Sequence, residues 1–522
     1  MATHAPVPLF NWLDHRAAGV LLHPTSLPGD FGIGTFGKEA RHFVDFLHEA
    51  GMRYWQLCPL GPTSYGDSPY QSPSTFAGNP YLIDLLPLCN AGLERQDAVG
   101  PLLFLNQDHV DFGGIYKLKR PILRAAYEQY RASRKTSLPY GDFEVFKARH
   151  AAWLEPYALF MALKDHFDGK AWMHWPRQVS SFAAALKAPL RRKLEADVES
   201  HMFSQYLFHG QWQELRDYAR RKNVSIIGDI PIFVALDSAD VWANPGLFQF
   251  DTTRNEPLAV AGCPPDYFSA DGQLWGNPLY DWTANAADGY AWWTSRLAAC
   301  FELFDVVRID HFRGFDTYWK IPFGAPNART GAWIAGPGLG FFEAVKAAFP
   351  NARIIAEDLG ELLPSVLTLR DQTGLPGMAI LQFAFGGKAD NLYLPHNLVA
   401  NQVLYPGTHD NDTSRGWYRT NDARTQDHVR RYLRISGDEV AWDFVRASYA
   451  AVSRLAVFPL QDLLNLGSEA RLNTPGQPVG NWSWRYRPAQ LEQLRRSSAP
   501  YLRDLAALYG RTGETSPSES KT

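Results

Sequence analysis

Eight short apolar segments that alternate with helix-like stretches restrict the fold of this chain more than any other feature. Each segment is rich in β-branched or aliphatic residues and is bounded by turn or breaker residues, which predicts a buried strand. Most lack the polar–apolar alternation of a half-exposed strand, as expected for parallel strands covered by helices. We therefore predict an α/β protein with a (β/α)8 TIM barrel. The predicted strands are residues 19–27, 54–60, 224–233, 306–312, 353–359, 378–385, 403–408 and 456–463.

The predicted strands are unevenly spaced, and the two largest gaps predict large insertions after the second and third strands. Residues 61–223 contain helix-like stretches and predict a mostly helical inserted subdomain. Residues 235–304 are rich in Trp, Gly, Pro and Asn and predict an inserted loop region. Both would follow the carboxyl ends of strands, where the loops of such barrels build active sites. We predict a single barrel domain over residues 1–522, with a disordered tail at 511–522.

Charge and composition exclude several classes of partner. The formal net charge of −3 does not provide the basic surface that nucleic acid or an anionic membrane requires, so we predict neither as a partner. No apolar run approaches the roughly 20 residues of a membrane span, and no signal-peptide pattern is visible, so we expect the cytoplasm. The four cysteines form no CxxC pair and are expected to be free thiols. The aromatic content of 14% fits either a large core or stacking platforms for sugar rings.

Acidic residues close two neighbouring predicted strands. In the segment VVRIDHFRG, Arg308 and Asp310 point to the same face of a strand. If that face lines the barrel, Arg308 would keep Asp310 ionised, as a carboxylate nucleophile requires; a structural ion pair is the alternative. The next strand ends at Glu357, whose longer side chain could reach a bond held over Asp310. Asp358 should face the other way and act as a hydrogen-bond acceptor at the strand end.

A third acidic group, in the His409–Asp410 pair, closes the seventh predicted strand. Alone, this pair is typical of a polar turn or a metal site, although it could also bind sugar hydroxyls. Three acids at the carboxyl ends of three barrel strands favour glycosidic chemistry. A retaining mechanism needs an ionised nucleophile and a protonated acid about 5 Å apart, which neighbouring strands can provide.

Ordered motifs extend these observations over nearly the whole chain, from residue 19 to residue 484, and together they resemble one family. That family is the 4-α-glucanotransferases, also known as amylomaltases or disproportionating enzymes, of the α-amylase-like clan. The motifs are GDSPYQS at 66–72, FAGNP at 76–80, GDIPIFV at 228–234, GCPPDYFS at 262–269, GQLWGNP at 272–278, RIDHFRG at 308–314, AEDLG at 356–360 and GTHDNDT at 407–413.

The resemblance implies roles for individual residues of a single catalytic barrel. It implies that Asp310 is the nucleophile, Glu357 the acid/base and Asp410 the transition-state stabiliser. Transfer also requires that water be kept from the glycosyl-enzyme, and the segment 264–275, Gly-rich at its borders and with Tyr267 and Phe268 at its tip, is our candidate for a lid that covers the substrate. The sugar-binding residues expected from the resemblance are Tyr70, Asp266, Trp275, Arg308, His311 and His409.

The implied activity is transfer of an α-1,4-glucan segment to the 4-hydroxyl of an acceptor glucan or glucose, with the α-configuration retained. The resemblance also implies maltooligosaccharides as partners, formation of some cyclic glucans, a monomer or weak homodimer, and neither a metal nor another cofactor. Residues 32–37 match the dinucleotide pattern GxGxxG, but the spacing to the preceding strand and to the next acid does not fit a nucleotide site. An α-glucan hydrolase and a non-catalytic glucan-binding protein remain alternatives.

Overall fold

The computed structural model describes residues 7–133, 138–265, 270–360 and 363–512. Eight strands in it form one parallel sheet, in the order β5-β4-β3-β2-β1-β8-β7-β6. The edge strands β5 and β6 meet through a hydrogen bond from the Ala356 N–H to the Pro376 carbonyl oxygen at 2.9 Å, so the sheet closes into a barrel. The predicted (β/α)8 fold is therefore confirmed. The strands are β1 (Ala17–Leu21), β2 (Tyr54–Gln56), β3 (Ser225–Pro231), β4 (Val306–Asp310), β5 (Ile354–Ala356), β6 (Gly377–Ile380), β7 (Gln402–Tyr405) and β8 (Leu455–Pro459).

All eight strands contribute to an apolar layer inside the barrel, because one face of each strand points inward. The other face packs against the surrounding helices in a second, larger core. Burial on both faces explains why the strand sequences are almost continuously apolar. The inward residues of this layer include Ala17, Leu21, Tyr54, Ile227, Val306, Ile355, Met378, Val403, Tyr405, Leu455 and Val457.

Helices cover the barrel and fill the long segment after β2. Three helices of more than twenty residues, Phe112–Ser133, Phe143–His166 and Glu195–Arg221, lie within residues 61–223 or lead into β3. Many of the other helices precede or follow barrel strands, as the α/β alternation predicts. Those of seven residues or more are Lys38–Glu49, Ala291–Leu303, Leu339–Ala348, Pro364–Thr373, Ser414–Thr420, Ala423–Leu433, Val440–Ala450, Pro488–Ser497 and Ala499–Leu508.

A four-stranded antiparallel sheet stands beside the carboxyl ends of β3 and β4. Two of its strands, Ala259–Cys263 and Gln273–Pro278, belong to the insertion after β3. The other two, Thr317–Pro322 and Ala332–Ala335, form a third insertion, after β4, that we did not predict. Each pair of strands forms a hairpin, and the two hairpins join through Ala259–Cys263 and Thr317–Pro322, which are distant in sequence, so the local apolar pattern does not reveal the sheet.

Several predicted strands extend too far towards the carboxyl end. β1 ends at Leu21 rather than at residue 27, and β6 ends at Ile380 rather than at 385. The residues that follow are apolar because they lie in buried loops and short 3-10 turns, and burial alone does not distinguish a loop from a strand. No helix in the described ranges is both long enough and apolar enough to cross a membrane.

The predicted tail does not begin at residue 511. Arg511 is fully buried, and Thr512 forms an antiparallel bridge with Ala17 at the start of β1. Backbone carbonyls at the amino end of the barrel bind the Arg511 guanidinium, which makes this residue part of the fold. The remainder of the predicted tail lies outside the described residues.

Candidate active site

The carboxyl ends of β3, β4 and β7 open into a cavity of about 280 Å³. Loops from the insertions after β2 and β3 and from the segment after β8 complete its wall, so residues distant in sequence meet there. Parallel strands bring their carboxyl ends to one rim, which is where barrel enzymes place reactive groups. Side chains that line the cavity include Tyr70, Phe233, Trp275, Asp310, His311, His409, Asp410, Asn473 and Trp482.

A buried arginine joins two carboxylates at the top of the barrel interior. Arg308 on β4 is 3% exposed, and its register partner on β3 is Asp229. One guanidinium nitrogen of Arg308, Nη1, lies 2.5 Å from Asp229 Oδ2, and the other, Nη2, lies 3.0 Å from Asp310 Oδ1. The two carboxylates raise the pKa of Arg308 well above its ordinary value, although burial opposes them. The guanidinium of Arg308 thus holds the carboxylates of Asp229 and Asp310 side by side.

Glu357, directly after β5, is bound by backbone rather than by a cationic side chain. The His311 N–H donates to its Oε2 at 2.7 Å and the Leu359 N–H donates to its Oε1 at 3.2 Å. His311 adopts a left-handed conformation, with φ of 54°, where the chain turns after β4. Burial raises the pKa of Glu357, and the negative charge of Asp310 is the second largest contribution. Together they raise it from 4.5 to about 8. A pKa of about 8 keeps Glu357 mostly protonated at pH 7, as a general acid requires.

Tyr70 connects the buried Asp229 to His409. Its hydroxyl donates to Asp229 Oδ2 at 2.8 Å and lies 2.9 Å from His409 Nε2. A tyrosine has a single hydroxyl hydrogen, so in the second contact His409 must be the donor. The hydrogen bonds therefore place a proton on Nε2 of His409. The Tyr70 and His409 rings stack with centroids 5.3 Å apart, and Trp482 lies against both rings.

Asp410 projects into the cavity and is held from the segment after β8. The Asn473 side-chain amide donates to its Oδ1 at 2.6 Å, and Arg471 donates to its backbone carbonyl at 2.7 Å. The Asp410 side chain is 46% exposed, so its carboxylate is accessible from the cavity. His409 Nε2 is 3.4 Å from the other carboxylate oxygen of Asp410.

An aromatic wall faces these carboxylates. The ring of Trp275, from the antiparallel sheet, meets the ring of His311 edge to face, with centroids 4.9 Å apart. Phe233, which follows β3, lies 6.5 Å from each of these two rings. Enclosure lowers the pKa of His311 to about 4, so the ring is neutral at pH 7. Flat, apolar and neutral surfaces of this kind suit the faces of sugar rings.

The structure brings together eight of the nine predicted site residues, all except Asp266. Asp266 and the predicted lid tip, Tyr267 and Phe268, lie outside the described residues. Asp358 faces away from the cavity, where its carboxylate accepts hydrogen bonds from the Met378 N–H and from Arg370.

Our list of candidate site residues missed Asp229, Asn473 and Trp482. The signal for Asp229 was present, because it lies near the carboxyl end of β3 as Asp310 does on β4. Asn473 and Trp482 reach the site from an irregular segment that carries no strand or helix pattern. In the described parts of the chain, no group of three or more His, Cys, Asp or Glu side chains is arranged to hold a metal ion.

Comparisons with known proteins agree with this geometry. A family model described as 4-alpha-glucanotransferase matches residues 22–491. A 4-alpha-glucanotransferase of Thermus thermophilus is 48% identical over 484 residues, which cover 91% of this chain and 96% of that protein. A chloroplastic or amyloplastic 4-alpha-glucanotransferase of Solanum tuberosum is 40% identical over 519 residues, covering 97% and 89%.

A solved structure gives the same result for the whole fold. The amylomaltase of Streptococcus agalactiae in complex with acarbose superposes with a TM-score of 0.89 at 38% identity, covering 95% of this chain and 99% of that one. The extent of the family match and the identity to these relatives show that the chain belongs to the 4-alpha-glucanotransferase family.

Proposed function

We propose that this chain moves α-1,4-glucan segments from a donor to the 4-hydroxyl of an acceptor glucan or glucose, with retention of the α-configuration. As a member of its family it is a glycosyltransferase that acts by transglycosylation. The observation that carries the residue roles is the difference between two neighbouring carboxyls. Asp310 pairs with the Arg308 cation, whereas Glu357 is bound by backbone N–H groups and faces the charge of Asp310. Carboxyls in such different surroundings suit the nucleophile and the acid/base of retaining glycosyl transfer.

In the proposed first step, the Asp310 carboxylate attacks the anomeric carbon of the donor. The bond from that carbon to the glycosidic oxygen breaks, and Glu357 gives its proton to this oxygen. The product is a glycosyl ester on Asp310, together with the released end of the donor chain. Asp410 binds ring hydroxyls and stabilises the positive charge that develops on the sugar.

In the proposed second step, Glu357 is ionised and acts as a base. It takes the proton of the acceptor 4-hydroxyl while that oxygen attacks the anomeric carbon and the ester bond to Asp310 breaks. The two inversions together retain the α-configuration, and both carboxyls return to their starting states. Hydrolysis differs only in that water takes the place of the acceptor.

The proposed substrates are α-1,4-glucans and maltooligosaccharides. The Streptococcus agalactiae amylomaltase was solved in complex with acarbose, which supports binding of an α-glucan by this chain. We propose Tyr70, Trp275, Arg308, His311 and His409 as sugar-binding residues, since each lies at this cavity or supports a residue there. Asp266 stays a proposal from the sequence.

Incubation of the purified protein with maltotriose alone tests the activity. We expect glucose together with a ladder of longer maltooligosaccharides, and loss of the ladder in Asp310→Asn. Glucose and maltose alone would favour the hydrolase. A folded protein that binds glucans and yields no product from maltotriose or longer chains would favour the binding protein.

We further propose a cytoplasmic monomer or weak homodimer that needs no added cofactor. Size-exclusion chromatography with light scattering measures the mass, and dialysis against EDTA should leave the transfer rate unchanged. For the predicted lid at 264–275, shortening the segment should raise the ratio of hydrolysis to transfer, because water then reaches the glycosyl ester more easily. An unchanged ratio would reject the lid.

A further inference from the structure

The seam between β5 and β6 is unlike the other contacts of the barrel. In each of the seven other pairs of neighbouring strands, residues are paired in register as in an ordinary β-ladder. β5 and β6 are instead joined by the backbone hydrogen bond from the Ala356 N–H to the Pro376 carbonyl oxygen. Beyond that bond, a side chain continues the contact. Oδ1 of Asp358 accepts the Met378 N–H at 2.7 Å, as a strand carbonyl would.

Asp358 is almost fully enclosed at this seam, with 2% of its surface exposed. Its second oxygen, Oδ2, accepts a hydrogen bond from Arg370 at 2.9 Å. A side chain at Gly377 would clash with the carboxylate, since an added Cβ would lie 2.4 Å from Oδ2. The carboxylate is therefore fitted to this position and compensated by one cation.

The position of Asp358 bears directly on Glu357, its neighbour in sequence. Anchoring Asp358 to β6 fixes the backbone between Glu357 and Leu359, and the Leu359 N–H is one of the two donors to the Glu357 carboxyl. The same anchor sets Met378, whose sulfur contacts Arg308 Nε at 3.3 Å. One buried carboxylate thus holds the surroundings of both carboxyls that we assign to the reaction.

The negative charge of Asp358 also acts on the Glu357 carboxyl. Among the described residues, the charged or titratable groups that act on Glu357 or are acted on by it are Asp310 and Arg308 from β4, Asp358, Tyr393 after β6 and Tyr405 on β7. The negative charges of Asp310 and Asp358 disfavour ionisation of Glu357, and Arg308 favours it. Arg370 lies behind Asp358 and offsets part of its charge.

We propose that Asp358 is a positioning residue for Glu357: it fixes the backbone that orients the acid/base carboxyl and places a negative charge behind it. This inference rests on the proposed role of Glu357. It predicts that Asp358 changes the pH range in which Glu357 is protonated, which a residue with a purely structural role would not do.

The test is the pH dependence of kcat/KM for maltotriose in Asp358→Asn. Asparagine keeps an oxygen for the Met378 N–H but removes the charge, so the alkaline limb should move to lower pH by roughly half a unit. The matched control is Asp371→Asn. Asp371 binds the same arginine, but its side chain is 69% exposed, and its loss should leave the limb in place.

Arg370→Met serves if Asp358→Asn does not fold, because it leaves the backbone bond intact and unbalances the charge of Asp358. In Arg370→Met, the alkaline limb of kcat/KM should move to higher pH. A limb that stays in place in the folded Asp358→Asn variant, or that moves equally in Asp371→Asn, overturns the proposal. Wild-type transfer by Glu357→Gln would instead overturn the acid/base assignment, so the two failures are distinguishable.

Discussion

Each end of the barrel buries an arginine, but the two arginines bind different kinds of partner. At the carboxyl end, Arg308 binds the carboxylates of Asp229 and Asp310. At the amino end, Arg511 donates to backbone carbonyl oxygens at the starts of β1 and β8 and at the end of helix Val440–Ala450. The carbonyls are those of Ala17, Ser448, Tyr449, Ala451, Ser453 and Arg454.

The difference shows how one barrel separates stability from chemistry. Neutral carbonyls of a helix end and of strand starts gain hydrogen bonds from Arg511, and this contact holds the chain together. At the carboxyl end, burial raises the pKa of Asp229 and of Glu357, which is costly for folding but useful for reaction. Along β4 the change is visible within five residues, from the apolar Val306 through Arg308 to Asp310 at the cavity.

The largest effect that we predict sharpens this contrast, because it separates activity from stability at one residue. Glu357→Gln should reduce transfer by about 10³-fold or more, since no proton can be given or taken. It should also stabilise the fold. A carboxyl whose pKa rises from 4.5 to about 8 on folding destabilises the protein increasingly as pH rises between those values.

Denaturant unfolding of Glu357→Gln and wild type measures the second part of this prediction. We expect a gain of about 3 kcal/mol in the free energy of unfolding at pH 7, which disappears near pH 4.5. A variant that is less stable than wild type at pH 7 would contradict the raised pKa. The wild-type kcat/KM should correspondingly fall above about pH 8, where Glu357 in the free enzyme loses its proton.

The next largest effect tests the carboxyl end alone. Arg308→Lys keeps one positive charge, but an ammonium group cannot bind Asp229 and Asp310 as the planar guanidinium does. We expect kcat to fall about 10²- to 10³-fold in a folded protein. Arg496→Lys, on an exposed helix surface, is the control and should retain full activity. An Arg308→Lys variant with nearly normal kcat would show that the paired geometry is unnecessary.

At the amino end of the barrel, a substitution should reduce stability rather than activity. Arg511→Met should lower the free energy of unfolding by about 3 kcal/mol, because it removes the donor to several buried carbonyls. We expect kcat per folded molecule to stay within about twofold of wild type, since Arg511 binds no group of the active site. Thermal unfolding and maltotriose kinetics on the same samples decide this. A large loss of kcat without loss of stability would break the separation between the two ends.

The smallest effect concerns a neutral contact at the cavity. Asn473→Ala removes the amide that holds Asp410 at 2.6 Å, and we expect kcat/KM to fall about tenfold. Thermal stability should change little, because the Asp410 side chain is already 46% exposed. If activity is unchanged, Asp410 does not need this support and binds sugar equally well from other orientations.

Much of the architecture follows from local sequence patterns. All eight barrel strands were predicted, because a strand buried on both faces leaves a continuous apolar run. Arg308 and Asp310 could be placed on one face because side chains alternate along a strand. Strand ends were placed too late at β1 and β6, where buried loops carry the same apolar residues.

Other features depend on contacts between distant residues. The hairpin after β4 forms its sheet with strands from the preceding insertion, so its own few residues carry little signal. Asn473 and Trp482 contribute to the site from a segment without regular structure. Arg511 looked like the start of a polar tail because an arginine near a chain end is usually solvated, and only its carbonyl partners explain its burial.

The sequence alone determined the type of barrel, the carboxylates at its strand ends and the family that they resemble. The tertiary structure decided which groups surround each carboxyl. Asp310 and Glu357 end neighbouring strands, yet one faces a buried guanidinium and the other lies against backbone N–H groups. A pKa depends on desolvation and on the charges within a few ångströms, and those distances exist only after the chain has folded.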